Sequence, residues 1–202
     1  MIALIDYGMG NLGSVSNALS FIGAAHRITS DPAQVAGADR VILPGVGAFG
    51  DCMANLRDYG LVDVIKQVIA EDRPFLGICL GLQMLFSESE EMGRHAGLDI
   101  IPGKVVRFTH DLKIPQIGWN QIKICQACPQ LEGVRSGSYF YFVHSYYVVP
   151  EDVTVVAATT DYGYQFCSAI RRGNLFATQF HPEKSHDAGL AILRNFAGMV
   201  EA

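Results

Sequence analysis

Cys79 stands alone in the apolar run FLGICLGLQMLF (75–86), with Gly77 two residues before it and Gly81 two residues after. An isolated thiol can attack a carbonyl carbon if a base takes its proton. A second stretch, ATQFHPEKS (177–185), supplies such a base. It places His181 and Glu183 two apart at the end of an apolar run, and residues i and i+2 of an extended chain face the same side. Pro182 biases His181 toward extended backbone. Glu183 can then accept a hydrogen bond from one imidazole nitrogen and leave the other for the thiol. Nucleophile, base and orienting acid are the parts of covalent acyl transfer. Taken singly, Cys79 is a core cysteine and His-Pro-Glu a polar turn. Taken together, they point to catalysis.

The elements around them must hold these groups. IALID (2–6) reads as a buried strand, and the apolar spacing at 12, 15, 19 and 22 predicts a helix over Leu12 to Ile22. His26 to Thr29 is a second strand, and RVILP (40–44) a third, closed by Pro44. Cys52 to Ala70 is helical, broken near Gly60. RPFLGI (73–78) is a fourth strand and Leu80 to Ser87 a short helix. Cys79 therefore falls at a strand-to-helix junction. The amides of a first helical turn lack intrahelical partners, favour negative charge, make a thiol more readily a thiolate, and can hold an oxyanion. Gly77-x-Cys79-x-Gly81 has the form of a nucleophile elbow, whose sharp turn leaves no room for side chains two positions away.

Alternating strands and helices predict a parallel sheet covered on both faces. Beyond residue 100 the pattern changes to β-like runs: Ile100 to Phe108, Ile114 to Ile124, Tyr139 to Val149, Val153 to Ala158, Cys167 to Arg171 and Leu175 to Phe180. Asp187 to Val200 closes the chain as an amphipathic helix. The expectation is one α/β domain over 1–202, with a mostly parallel central sheet flanked by helices and antiparallel strands added in the C-terminal half.

Composition excludes several classes. With 202 residues, a net charge of −5 and no basic run, the chain offers no footprint for nucleic acid or an anionic membrane surface. No stretch approaches the ~20 apolar residues of a membrane span. MIALID lacks a basic region and is not read as a signal peptide. Five cysteines at 52, 79, 125, 128 and 167 have no framework spacing and read as reduced thiols of a cytoplasmic protein. Cys125-x-x-Cys128 could be half of a zinc site or a redox pair, but no second ligand pair accompanies it, and thiol chemistry itself needs no metal or organic cofactor, so none is expected. His144, in an aromatic run, reads as a satisfied core histidine. Gly8-Met-Gly10-Asn-Leu-Gly13 with Asp31 fits a dinucleotide fingerprint, which is the competing reading. Gly45-Val-Gly47-Ala-Phe-Gly50 fits the same pattern, so at least one match is false.

Gly-Ile-Cys-Leu-Gly-Leu-Gln (77–83) and Phe-His-Pro-Glu (180–183) together resemble the class I, or triad, glutamine amidotransferases. These are flavodoxin-like α/β glutaminases. Asp-Tyr-Gly-Met-Gly-Asn-Leu (6–12), Pro-Gly-Val-Gly-Ala-Phe-Gly (44–50), Ile-Pro-Gln-Ile-Gly-Trp-Asn (114–120) and Tyr-Phe-Val-His-Ser-Tyr (141–146) narrow the resemblance to the glutaminase subunits of imidazole glycerol phosphate synthases. The resemblance implies a Cys79–His181–Glu183 triad acting on L-glutamine. It implies oxyanion donors at the Leu80 amide and in the Gly45-Val46-Gly47 loop. Gly47, Gln83, Ser145 and Tyr146 would hold the substrate. It also implies a separate (β/α)8-barrel cyclase partner, joined in a heterodimer and met by Asn11, Trp119, Asn120 and Tyr141.

Overall fold

A computed structural model of the chain describes residues 1–198. The first half runs β1 (Ile2–Ile5), α1 (Leu12–Phe21), β2 (His26–Thr29), α2 (Pro32–Ala36), β3 (Arg40–Leu43), α3 (Phe49–Asp58), α4 (Val62–Ala70), β4 (Phe75–Ile78) and α5 (Leu80–Gln83). Then come β5 (Phe86–Ser89), β6 (His95–Ala96), β7 (Ile101–Arg107), β8 (Gln116–Gln121), β9 (Lys123–Ile124), β10 (Tyr139–His144) and β11 (Tyr146–Pro150). The chain closes with β12 (Val156–Asp161), β13 (Gln165–Arg172), β14 (Leu175–Thr178) and α6 (His186–Gly198).

The main sheet has the order β2-β1-β3-β4-β14-β13-β11-β7-β5-β6, with β12 and β9 joined beside β13. From β2 to β14 every pairing is parallel. β13, β11 and β7 then follow antiparallel. β8 and β10 form a separate antiparallel ribbon. This is the expected α/β sheet with antiparallel additions in the C-terminal half.

Strand alternation explains the layers. Ile2 and Leu4 of β1 join one apolar cluster with Val15 and Leu19 of α1 and Ile192, Leu193 and Phe196 of α6. Ala3 and Ile5 join the opposite cluster with Val35 of α2, Leu56 of α3 and Ile65 of α4. β3 splits the same way, Ile42 to the first side and Val41 and Leu43 to the second. Strands buried on both faces read as short unbroken apolar runs, which is why they were legible. Each fully buried Leu, Ile or Phe contributes about 1.5–3 kcal/mol.

Three segments depart from the sequence expectation. The helix after Cys79 is a single turn, and Phe86 already begins β5. The Met84 and Leu85 carbonyls accept from Leu98 and Ile100 at 2.8 and 2.9 Å, so pairing with the next segment overrides the helical propensity of LQMLF. Val153–Val155 is a 3-10 turn, capped by the Asp152 carboxylate accepting from Thr154 N at 2.9 Å. Pro32–Ala36 is a helix that periodicity did not show; Asp31 caps it by accepting from Ala33 N at 2.9 Å, with Pro32 at its first position. Asp31 is thus committed to a cap, which removes the acid that the dinucleotide reading required. The predicted end of the last helix, Val200, lies outside the described residues.

Candidate active site

β4 and β14 are adjacent and parallel, with Ile78 opposite Thr178. The residues that follow them leave the sheet at the same, C-terminal edge, where open α/β sheets bind ligands. The Cys79 amide donates to the Thr178 carbonyl at 2.7 Å, tying the two exits together. Cys79 itself has φ 56° and ψ −109°. That conformation costs a residue with a side chain about 1–3 kcal/mol and persists only when its surroundings impose it. Here they do. A Cβ on Gly77 would stand 2.8 Å from the Gly81 carbonyl oxygen, and one on Gly81 would overlap the Leu43 carbonyl oxygen. The elbow can therefore close only with glycine on both sides.

His181 and Glu183 meet as the i, i+2 argument requires: Nδ1 to Oε1 is 2.8 Å, with the side chains 2% and 0% exposed. The backbone is pinned by His181 N donating to Tyr141 O at 3.0 Å and by Ser185 Oγ donating to His181 O at 2.6 Å. Nε2 is buried and makes no aligned hydrogen bond among the described residues. Burial alone would pull the imidazole down; the negative charge at Cys79, and after it Glu183, outweighs burial and holds it up at about 10. Cys79 acts on the imidazole through charge and as a hydrogen-bond partner that is not yet aligned, as is common before substrate fills a site. The arrangement suits a thiolate beside an imidazolium.

A cavity of about 210 Å³ opens over both groups. Val46, Gly47, Leu80, Gln83, Ser145 and Tyr146 line it. Gly47 has φ +105°, open to glycine and not to proline. Leu80 is the first residue of its helical turn, so its N–H has no intrahelical acceptor. Gln83 Nε2 donates to the Tyr146 carbonyl at 3.0 Å and to Gln179 Oε1 at 3.1 Å. His144 is the satisfied core histidine expected: Nδ1 lies 2.8 Å from the Tyr146 carbonyl and Nε2 2.8 Å from the Gln116 side-chain amide. Burial pushes it down to about 4, so it is neutral and fixes the break between β10 and β11 where Ser145 and Tyr146 face the cavity.

Two residues of this site escaped the sequence. Glu91 lines the cavity and accepts from Phe49 N at the start of α3 at 2.8 Å. It lies in the acidic run 88–91, which gives no sign of a buried task. Gln179 is buried beside Cys79. Strand alternation puts it on the same side as His181, a signal present in ATQFHPEKS.

The four residues expected at a partner surface separate. Trp119 is 47% exposed, meets Tyr141 edge-on at 6.2 Å and stacks on His186 at 4.9 Å with planes 2° apart. Exposed Ile117 and Tyr139 share that face by alternation along the ribbon. Asn120 lies on the other face, its Nδ2 donating to the Asp161 carbonyl at 2.8 Å. Asn11 is half-buried at the start of α1. Of the Cys-x-x-Cys pair, Cys125 is exposed and Cys128 buried. Among the described residues no cluster of three or more His, Cys, Asp or Glu is placed to hold a metal ion, and no helix is long and apolar enough to cross a membrane.

Comparison with known proteins agrees with this geometry. The chain is 58% identical over 206 residues to imidazole glycerol phosphate synthase subunit HisH of Syntrophotalea carbinolica, covering 98% of this chain and 100% of that protein. It is 52% identical over 202 residues to the HisH subunit of Methanothermobacter thermautotrophicus, with both chains covered in full. Among solved structures, PurLQS from Thermotoga maritima superposes with a TM-score of 0.75 at 16% identity, covering 96% of each chain. The glutaminase domain of CTPS from Trypanosoma brucei gives 0.68 at 15% identity, covering 100% of this chain and 95% of that one. The family model for glutamine amidotransferase class-I matches residues 3–199, and the chain belongs to that family.

Proposed function

We propose that this chain is the glutaminase subunit of an imidazole glycerol phosphate synthase, with Cys79 as its nucleophile. The observation that carries the reading is the junction of β4 and β14. It sets Cys79 beside His181, and Glu183 holds the far imidazole nitrogen at 2.8 Å. The full-length identity to HisH subunits supports the choice of synthase.

Cys79 Sγ attacks the side-chain amide carbon of glutamine, and the carbonyl electrons move onto oxygen. The Leu80 amide and an amide of the Val46–Gly47 loop receive that oxyanion. The His181 imidazolium gives its proton to the departing nitrogen, which leaves as ammonia, and a thioester remains. Neutral His181 then takes a proton from water, whose oxygen attacks the thioester. Glutamate leaves and the thiolate–imidazolium pair is restored. Glu183 keeps Nε2 aimed at the reaction throughout. Glutamine is held by Gln83, Gly47 and the Ser145–Tyr146 segment. Glu91, the one carboxylate lining the cavity among the described residues, suits the substrate ammonium group.

Released ammonia is useful only if it reaches its acceptor before it protonates. The acceptor belongs to a (β/α)8-barrel cyclase, a separate chain that forms a heterodimer with this one. Together they make imidazole glycerol phosphate and aminoimidazole carboxamide ribotide in histidine biosynthesis. The exposed Trp119 beside Tyr141, the kind of aromatic surface that anchors interfaces, supports docking there. Five unpaired thiols support a reducing, cytoplasmic setting.

The test is glutamate release from glutamine by wild type and Cys79→Ser, each alone, with the cyclase, and with cyclase plus ribotide. Strong turnover in the full mixture that is lost in Cys79→Ser is expected. Turnover that survives in Cys79→Ser would overturn the assignment.

A further inference from the structure

β14 continues into a buried polar side chain that the mechanism above does not use. Gln179 is fully buried, and its Nε2 lies 3.7 Å from Cys79 Sγ in donating geometry. Its Oε1 accepts from Gln83 Nε2 at 3.1 Å. The same Gln83 nitrogen donates to the Tyr146 carbonyl at 3.0 Å, so both of its hydrogens are used. A donor of that kind can face only an oxygen on Gln179. The Gln179 amide is thus oriented by its neighbour, oxygen toward Gln83 and nitrogen toward sulfur. Its backbone is fixed as well, with Gln179 N donating to Ser168 O at 2.9 Å.

We propose that Gln179 holds the Cys79 thiolate, its side-chain amide donating to the sulfur while Gln83 fixes the direction of that amide. The inference rests on Cys79 being the nucleophile. A hydrogen bond to an anion is roughly twice as strong as one to a neutral acceptor, and a thiol sulfur is a weak acceptor. The donor therefore favours thiolate over thiol. It helps twice in the cycle: before attack, when the sulfur must be an anion, and at thioester hydrolysis, when the sulfur leaves as one.

The experiment follows alkylation of Cys79 by iodoacetamide across pH in the full chain, read on the Cys79 peptide by mass spectrometry so that the other four thiols do not contribute. Gln179→Met keeps an unbranched side chain of similar size and removes the donor. Its alkylation profile is expected to move to higher pH by about one unit, roughly tenfold slower on the rising limb. Gln179→Asn, which withdraws the amide from the sulfur, is expected to move it the same way and serves if the Met variant does not fold. Gln83→Met leaves the donor present but unpinned, with a smaller shift and a larger rise in KM for glutamine. Profiles of folded Gln179→Met and Gln179→Asn that superpose on wild type would overturn the proposal, even with a raised KM, because Gln179 would then only hold Gln83 in place. The same wild-type samples, assayed for glutamate release with the cyclase, separate this from the underlying assignment. If fully alkylated Cys79 leaves turnover intact, the nucleophile itself is wrong and the proposal falls with it.

Discussion

Gly81 and Leu43 are in backbone contact: any side chain on Gly81 would overlap the Leu43 carbonyl oxygen at the end of β3. Three strand ends, those of β3, β4 and β14, therefore converge under the elbow. Gly81→Ala is expected to cost about 1–3 kcal/mol in denaturant unfolding, as overpacking does, and to lower glutaminase turnover by displacing Cys79. An alanine variant of wild-type stability and turnover would show that the approach can relax.

The φ of 56° at Cys79 yields a reversal of the usual order of substitutions. Glycine ordinarily destabilises a site by about 1 kcal/mol relative to alanine. Here Cys79→Gly should be more stable than Cys79→Ala by about 1–2 kcal/mol, because only glycine adopts that backbone without strain. Both variants should be inactive. Equilibrium unfolding in urea decides it, and alanine above glycine would mean that the residue is not strained.

Acid stability should carry the mark of His144. Burial holds this imidazole down at about 4, whereas an unfolded chain protonates it below ~6.5. In that window the unfolded state binds more protons, so stability falls as pH drops from ~6.5 toward 4, by about 3 kcal/mol at most. His144→Gln removes the titration, and its stability should decline less steeply between those limits. Parallel curves from chemical unfolding at several pH values would contradict the assignment.

Gly47→Pro removes a backbone amide beside the cavity and cannot adopt φ +105°. Loss of one oxyanion donor lowers turnover by about 10²–10³-fold. The loop lies at the cavity edge, so the far-ultraviolet spectrum should be unchanged. Unaltered glutamate release would remove this loop from the chemistry.

Trp119→Ala deletes the largest exposed aromatic side chain of the β8–β10 ribbon. Affinity for the cyclase, measured by titration calorimetry, should weaken by about thirtyfold, the effect of a single anchor worth about 2 kcal/mol. Asn120→Ala, whose side chain turns to the Asp161 carbonyl, should weaken it far less. Equal losses would mean that the ribbon is gripped from both faces.

The central strands were readable because both of their faces are buried, so IALI, RVIL and FLGI appear as apolar runs. The clustering of Cys79, His181 and Glu183 was readable because strand ends and a period of two place side chains with little help from the rest of the fold. Phe86–Ser89 was not, because the LQMLF that leads into it suits a helix locally, and the chain turns to strand only through backbone amides about a dozen residues on. Glu91 and Gln179 are not legible in the sequence for a related reason. A short acidic run and a glutamine at a strand end have ordinary surface and core uses; only the cavity distinguishes Glu91, and only the approach to the Cys79 sulfur distinguishes Gln179.

Cys79 and His181 extend from neighbouring rungs of one ladder, joined at Ile78 and Thr178. The intervening chain holds the ribbon and the antiparallel strands. Sway in that excursion, or tugging on it by another molecule, reaches the imidazole through the Tyr141 carbonyl that His181 N donates to. The sulfur rides on the sheet, whereas the imidazole rides on the sheet and the ribbon together, so a molecule that grips the ribbon has a direct handle on His181.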